Sequence, residues 1–343
     1  MLTHKDRVRL SIAHKQPDRV PKGDLAIGAK LLDALAVDAG FKGGSPDEKL
    51  LCVLKHLDSD LVDLHEYPVR EIGRTSSGLP IFRGAFGEEF AMNENGHSLL
   101  KPALNEPSDV DTYKVPDISL ATTVKLDFFR KNSDLFLFSQ IGGPVSSIEW
   151  AVGMENMMIW CMTDMEYMKK FAQIIIEYEL RRAKLFLAHG ADAIIIADDI
   201  AFNTGALLPP HIMSEIAWPV YKEMILKIKR IKDVPVFLHT DGDIRSLMDD
   251  IVDCGFNGLH SLQPSAGVDI LDIKKRYGDK LCLMGNLDLD RLMTFGQPAE
   301  IEAQVRWLCE NIGKGGGYIL STCNILTDAI PLENVLAMYR AGV

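Results

Sequence analysis

Three side chains able to ligate a metal stand just past the carboxyl ends of two apolar runs. The first run, V-P-V-F-L-H-T-D-G-D-I from Val234 to Ile244, reads as a buried strand that stops at His239. A turn follows, and a helix opens at Gly242. His239 and Asp241 lie two residues apart, so both point the same way above the sheet. The second run, G-G-G-Y-I-L-S-T-C from Gly315, is a strand that ends on Cys323. Imidazole, carboxylate and thiolate, all at strand carboxyl ends, imply one shared site.

Other strand candidates also end in groups that bind or move protons: His65 and Glu66, Gln140, Asp198 and Asp199, His260 with Gln263, and Asn286. Each has a plainer reading. Asp198 and Asp199 would cap the segment at Asn203 and Thr204 through Asx hydrogen bonds. Asp241 before Gly242 would be a helix N-cap. His65 and His260 would be hydrogen-bonded core residues, the reading preferred for His260, and Asn286 would satisfy loop backbone. The methionines at 154, 157, 158, 162, 165 and 168 follow helical spacing loosely and read as adaptable packing.

The elements that carry these residues alternate. Thr3 to Lys15 predicts a helix, Asp24 to Ile27 a first strand, and 28–39 and 46–57 helices, the latter opened by a Ser45-x-x-Glu48 capping box. Leu61 to Leu64 is a short strand. From Tyr67 to Lys101, glycines and alternating residues predict a β-hairpin insertion that serves as a lid or rim. Beyond a polar link over 105–118, strands at 135–138, 193–197, 235–238, 257–260, 281–284 and 317–320 alternate with helices over 145–161, 164–188, 209–232, 242–253, 267–276, 288–293, 298–312 and 331–341. The run at 193–197 is apolar on both faces, as a parallel strand covered by helices requires. About eight strands, each followed by helix, predict one (β/α)8 barrel over 1–343, with an N-terminal helical extension and 67–101 inserted. No G-x-G-x-x-G turn follows any strand, which weighs against a dinucleotide fold. In a barrel the carboxyl-end loops carry the active site.

Composition agrees with a cytoplasmic enzyme. The 343 residues are 47% hydrophobic and 25% charged, enough for a large core in one domain. No stretch is apolar for the roughly 20 residues of a membrane span, and M-L-T-H-K-D-R lacks the apolar region of a signal peptide. A net charge of -11 disfavours nucleic acid, whose affinity comes from cations on phosphate, and a strongly anionic substrate. The six cysteines (52, 161, 254, 282, 309, 323) form no C-x-x-C pair. A disulfide framework or zinc ribbon is therefore not expected, and five of the six read as core filler.

Several segments together resemble the uroporphyrinogen decarboxylase superfamily over essentially the whole chain: R-V-R-L-S-I-A-H-K-Q-P-D-R-V-P, I-G-G-P-V-S-S-I-E, G-A-D-A-I-I-I-A-D-D, F-L-H-T-D-G-D-I, L-C-L-M-G-N-L-D and G-G-G-Y-I-L-S-T-C-N-I-L. Within it, the H-x-D and later Cys resemble the cobalamin-dependent methyltransferase branch. That resemblance implies a (β/α)8 barrel holding zinc, which exchanges a methyl group with the cobalamin of a separate corrinoid protein. His239 and Cys323 match zinc ligands, with Asp241 in the place of a cysteine. A catalytic zinc keeps three protein ligands and an open position, and acts as a Lewis acid at the heteroatom that gains or loses the methyl. His65, Glu66, Gln140, Asp198, Asp199, Gln263 and Asn286 are the substrate-binding candidates.

The decarboxylases carry an arginine-rich segment after the first strand for porphyrinogen carboxylates. Here that region reads K-G-D-L-A-I-G-A-K over 22–30, without arginine. Asp in place of Cys keeps the charge but hardens the metal. This tilts the expected substrate toward an oxygen-linked methyl, a methoxylated aromatic resting on the apolar, Met-rich segment from Ile148 to Met168. A methylcobalamin:thiol transferase acting on a coenzyme M-like thiol stays open, as does a metal-free decarboxylase using Asp198, Asp199 or His65. A non-catalytic binder of a corrinoid protein and a homodimer also stay open. With no D-x-H-x-x-G module in the chain, the corrinoid must come from outside.

Overall fold

Strands apolar on both faces pair in parallel here, because only a sheet filled on one side and covered by helices on the other buries both. The computed structural model describes residues 2–93 and 96–342. Its strands are β1 (Leu61–Asp63), β2 (Arg70–Arg74), β3 (Pro80–Arg83), β4 (Glu89–Asn93), β5 (Gly96–Lys101), β6 (Phe136–Gly142), β7 (Ala193–Ala197), β8 (Ala201–Phe202), β9 (Gly205–Ala206), β10 (Val236–Thr240), β11 (Gly258–Ser261), β12 (Cys282–Leu287) and β13 (Tyr318–Thr322). The helices are α1 (His4–Ile12), α2 (Ala29–Asp38), α3 (Pro46–His56), α4 (Val124–Asn132), α5 (Pro144–Val152), α6 (Met154–Thr163), α7 (Met165–Ala188), α8 (Pro210–Ile216), α9 (Trp218–Ile231), α10 (Met248–Cys254), α11 (Ile270–Tyr277), α12 (Pro298–Asn311) and α13 (Leu332–Ala341).

Seven strands form one curled parallel sheet in the order β1-β6-β7-β10-β11-β12-β13. The expected first strand at 24–27 is not regular, yet its neighbourhood joins the two edges. Asp60 N donates to Lys22 O at 2.8 Å, and Gly23 N donates to Leu320 O at 3.0 Å. Isolated parallel bridges pair Lys22 with Leu320 and Ile27 with Leu326. Side-chain alternation divides the core accordingly. Leu25, Leu61, Phe138, Ile195, Phe237, Met284 and Ile319 fill the interior, whereas Val62, Leu137, Ile194, Ile196, Leu238 and Leu283 pack outward under the helices.

Three local departures from the sequence reading matter for the site. The segment over 70–101 is a four-stranded antiparallel sheet, β2-β3-β4-β5, rather than a hairpin. The helix expected to open at Gly242 begins only at Met248. Gly242 sits at φ +89°, and a Cβ there would lie 2.5 Å from Ala201 O. The turn is therefore pressed against β8, with Asp243 N donating to Phe202 O, and only glycine fits it. Finally, 145–161 breaks into α5 and α6 at Gly153, whose φ is +87°. No helix among the described residues is long and apolar enough to cross a membrane, and all six cysteines are free.

Candidate active site

Parallel register puts His239 of β10 beside His260 of β11 and Ala197 of β7. The two imidazoles meet Nδ1 to Nδ1 at 2.7 Å, and His260 Nε2 lies 3.2 Å from Thr322 O. A carbonyl only accepts, so His260 Nε2 carries the proton, and burial holds His260 well below its ordinary pKa and therefore neutral. Its Nδ1 must then accept from His239 Nδ1–H. In the neutral ring, this chain of hydrogen bonds places the free lone pair of His239 on Nε2, the atom through which it can bind a metal.

Among the described residues, Asp199, His239 and Asp241 bring ligand-capable atoms within 4.8 Å of one another. Asp241 N donates to Asp199 Oδ1 at 3.0 Å, and Asn324 Nδ2 donates to Asp241 Oδ2 at 2.5 Å. Asp241 Oδ1 is buried without a hydrogen bond; Ser261 is near enough to favour the charged form, but outside hydrogen-bonding geometry. Burial raises the Asp241 carboxyl, opposed by His239 and reinforced by Asp199. An orphaned carboxylate oxygen, a bare imidazole nitrogen and a second carboxylate fit a divalent cation, since nitrogen and oxygen donors both suit zinc. Cys323 is not a member of this group. Its thiol is buried and pushed up to about 12 by desolvation, with a backbone hydrogen bond from Leu289.

Beside the group opens a pocket of about 290 Å³. Of the residues singled out from the sequence, His65, Glu66, Gln140, Asp198, Asp199 and His239 line it. Asp63 Oδ2 accepts from His65 Nδ1 at 2.9 Å and from Gln140 Nε2 at 2.6 Å. Burial opposes the His65 imidazolium, but Asp63 outweighs it and the pKa rises.

Asp198 lines the pocket as a helix cap. Its carboxylate accepts from Val145 N at 3.1 Å, Ser146 N at 2.5 Å and Tyr221 Oη at 2.5 Å. The helix served is α5, not the segment that follows Asp198 in sequence. Gly143 makes room, since a Cβ there would fall 2.2 Å from Asp198 Oδ2. Burial nevertheless raises this carboxyl to about 6. Gln263 and Asn286 brace loops outside the pocket: Gln263 Oε1 accepts from Gly242 N at 2.9 Å, and Asn286 Nδ2 donates to Leu262 O at 2.6 Å. The expected Met-rich cradle contributes Trp150 to the lining and none of its methionines.

Sequence reasoning missed the pocket's other wall. Tyr67, Phe86, Glu88, Trp150, Glu179 and Arg182 come from the antiparallel sheet and its approaches, α5 and α7. Tyr67 stacks on Trp150 at 5.9 Å, and His97 stacks on it at 3.8 Å. Arg182 Nη1 donates to Glu179 Oε2 at 2.7 Å, while Nη2 reaches Glu66 O at 3.2 Å. One signal was available: Glu179 and Arg182 interrupt the buried face of α7, and charges on such a face are paired or functional.

Two charged residues of the arginine-free segment over 22–30 are committed elsewhere. Lys22 Nζ is buried and donates to Tyr339 O at 2.7 Å, and Asp24 is buried against β13. Among the described residues, Arg182 is the lining's one lysine or arginine, and it is ion-paired with Glu179.

Comparison with known proteins agrees with this architecture. Over 99% of its length the chain is 24% identical to the methylcobamide:CoM methyltransferase MtaA of Methanosarcina barkeri, covering 97% of that protein. It is 25% identical to the uroporphyrinogen decarboxylase of Chlorobium phaeobacteroides over 69% of this chain and 68% of that one. A solved methyltransferase from Methanosarcina mazei superimposes with a TM-score of 0.77 at 21% identity, covering 100% of this chain and 98% of its own. The model of the uroporphyrinogen decarboxylase (URO-D) family matches residues 72–342, from the first strand of the inserted sheet to the last helix, and by that match the chain belongs to this family.

Proposed function

We propose that this protein is a metal-dependent methyltransferase that moves a methyl group between a small substrate and the cobalamin of a separate corrinoid protein. The observation that carries the reading is the gathering of Asp199, His239 and Asp241 within 4.8 Å beside an aromatic-walled pocket, with His239 Nε2 left free to ligate. A zinc ion held there would supply a Lewis acid to the heteroatom that gains or loses the methyl. The chain's own residues do the rest. His260 fixes the His239 tautomer, Asn324 orients Asp241, and Tyr67, Phe86 and Trp150 line the substrate's side of the pocket.

Nitrogen and oxygen donors without sulfur make a hard site. This supports a methoxylated aromatic as donor, with the departing oxygen at the metal group. A thiol acceptor is the second reading, favoured by the full-length similarity to a methylcobamide:CoM methyltransferase. Decarboxylation of a porphyrinogen is disfavoured by the make-up of the lining, in which five acidic side chains stand beside one arginine that is already paired.

The assay is a panel: cob(I)alamin with methoxylated aromatics on one side, methylcobalamin with thiols on the other, read by the cobalamin spectrum. Methyl transfer is expected with the methoxy compounds, and no spectral change with either set would refute the class. Metal content decides the ligands. Asp199→Ala should lose about one equivalent of zinc while Cys323→Ala keeps it. The opposite pattern would return the third ligand to Cys323.

A further inference from the structure

One acidic side chain inside the pocket has no role in the metal group. Glu88 lies on the turn between β3 and β4, is 5% exposed, and lines the cavity with Oε2 buried and unpartnered. Space for it is built in: a Cβ on Gly84 would fall 1.7 Å from Glu88 Oε1. The turn is also fastened from behind. Tyr113 Oη donates to Phe86 O, and the Phe86 ring packs edge-on against Phe171 at 6.0 Å and Tyr178 at 5.2 Å.

Glu66, also in the lining, repeats the pattern with its own buried, unpartnered Oε2. Burial raises both carboxyls, Glu88 to about 7. Backbone groups of Phe86 and Glu88, rather than a cation, oppose the rise at Glu88. At Glu66, Lys125, His65 and Arg182 oppose it through space alone. Two acidic side chains without a bonded counter-ion thus line one cavity with the rings of Tyr67, Phe86 and Trp150. Carboxylate and π face both attract positive charge, most of all a weakly hydrated one.

We infer that the pocket binds a cationic substrate, a methylated ammonium group seated between Glu66, Glu88 and the aromatic wall formed by Tyr67, Phe86 and Trp150. The inference rests on the methyl-transfer reading only in calling this ligand the substrate. It leaves open which heteroatom of that molecule bears the transferred methyl. A sulfonate or carboxylate in the same place would face two unpaired acids.

The test is equilibrium binding of tetramethylammonium to the full-length protein at constant ionic strength, by calorimetry, with ethanesulfonate as the anionic control. Saturable binding of the cation and none of the anion is expected. Glu88→Gln and Glu66→Gln should each weaken the cation at least tenfold, with thermal melting confirming that the variants fold. Equal affinity in wild type and both variants, or preference for ethanesulfonate, overturns the proposal. Cation binding without methyl transfer would sink the methyltransferase reading and leave this one. Methyl transfer from a neutral donor alone, with no cation binding, would do the reverse.

Discussion

His260 shows how much one hydrogen bond decides at the residue scale. It does not itself line the pocket, yet by accepting from His239 Nδ1 it determines which nitrogen of His239 is left to ligate. Removing such an orienting partner typically costs roughly 10- to 100-fold in metal affinity. His260→Leu is therefore expected to weaken zinc by about that factor, measured by competition with a chelator, while the circular dichroism spectrum stays native. Unchanged affinity would show that the His239 ring is held by something else. Asp241 makes the complementary point. A carboxylate with one oxygen fixed by Asn324 and the other unpartnered is costly to bury without a cation, which is why the metal reading explains this pair better than helix capping does.

At the scale of elements, the α5 N-terminus is held across the sheet by Asp198, just past the end of β7. A helix N-terminus carries unsatisfied N–H groups and a partial positive charge, and Asp198 answers three donors at once. Even so, burial lifts its carboxyl from 3.8 to about 6, so the folded state binds this proton more tightly than the unfolded one. The stability this contributes is fully present below pH 3.8 and is lost as pH rises through about 6. Relative to Asp198→Asn, the wild type should lose up to about 3 kcal/mol between roughly pH 4 and 6, since each pH unit separating the folded and unfolded titrations is worth about 1.4 kcal/mol. Urea melts across that range check it, and parallel curves would show that Asp198 does not titrate there. The antiparallel sheet is fixed to the same helix. Phe90 of β4 meets the Trp150 ring edge-on at 5.3 Å, and this contact brings the turn bearing Phe86 and Glu88 to the mouth of the parallel sheet.

At the scale of the whole molecule, the parallel sheet is completed through residues 21–28 and one buried acid. Asp24 accepts from Thr322 N at 2.8 Å, Thr322 Oγ1 at 2.6 Å and Tyr339 Oη at 2.9 Å, joining the first extended segment to β13 and α13. Asp24→Ala leaves those three donors buried and unpaired, at about 1–3 kcal/mol each. A loss of at least about 3 kcal/mol in denaturant melts is expected, and a loss below about 1 kcal/mol would mean that the seam between Lys22 and Leu320 holds by backbone alone. The net charge of -11 also acquires a local meaning. Part of it lies in the pocket, whose lining carries Glu66, Glu88, Glu179, Asp198 and Asp199.

Chain order alone carries the alternation of strand and helix, because a parallel strand must be apolar on both faces and a covering helix on one. It also carries His239 and Asp241 as a pair, since residues two apart at a strand end share a direction, and Glu66, Gln140 and Asp199 by the same strand-end logic. Packing settled the rest. Strand register set His260 against His239, 21 residues away. Curling of the sheet brought Asp199 of one strand end to Asp241 of the next, leaving Cys323 outside the group. The fold of 70–101 delivered Phe86 and Glu88 to a cavity they share with Gln140, Glu179 and His239, from three distant elements. Local propensity acts over a few residues, whereas a pocket is assembled from whichever side chains the packing of distant elements leaves facing one another.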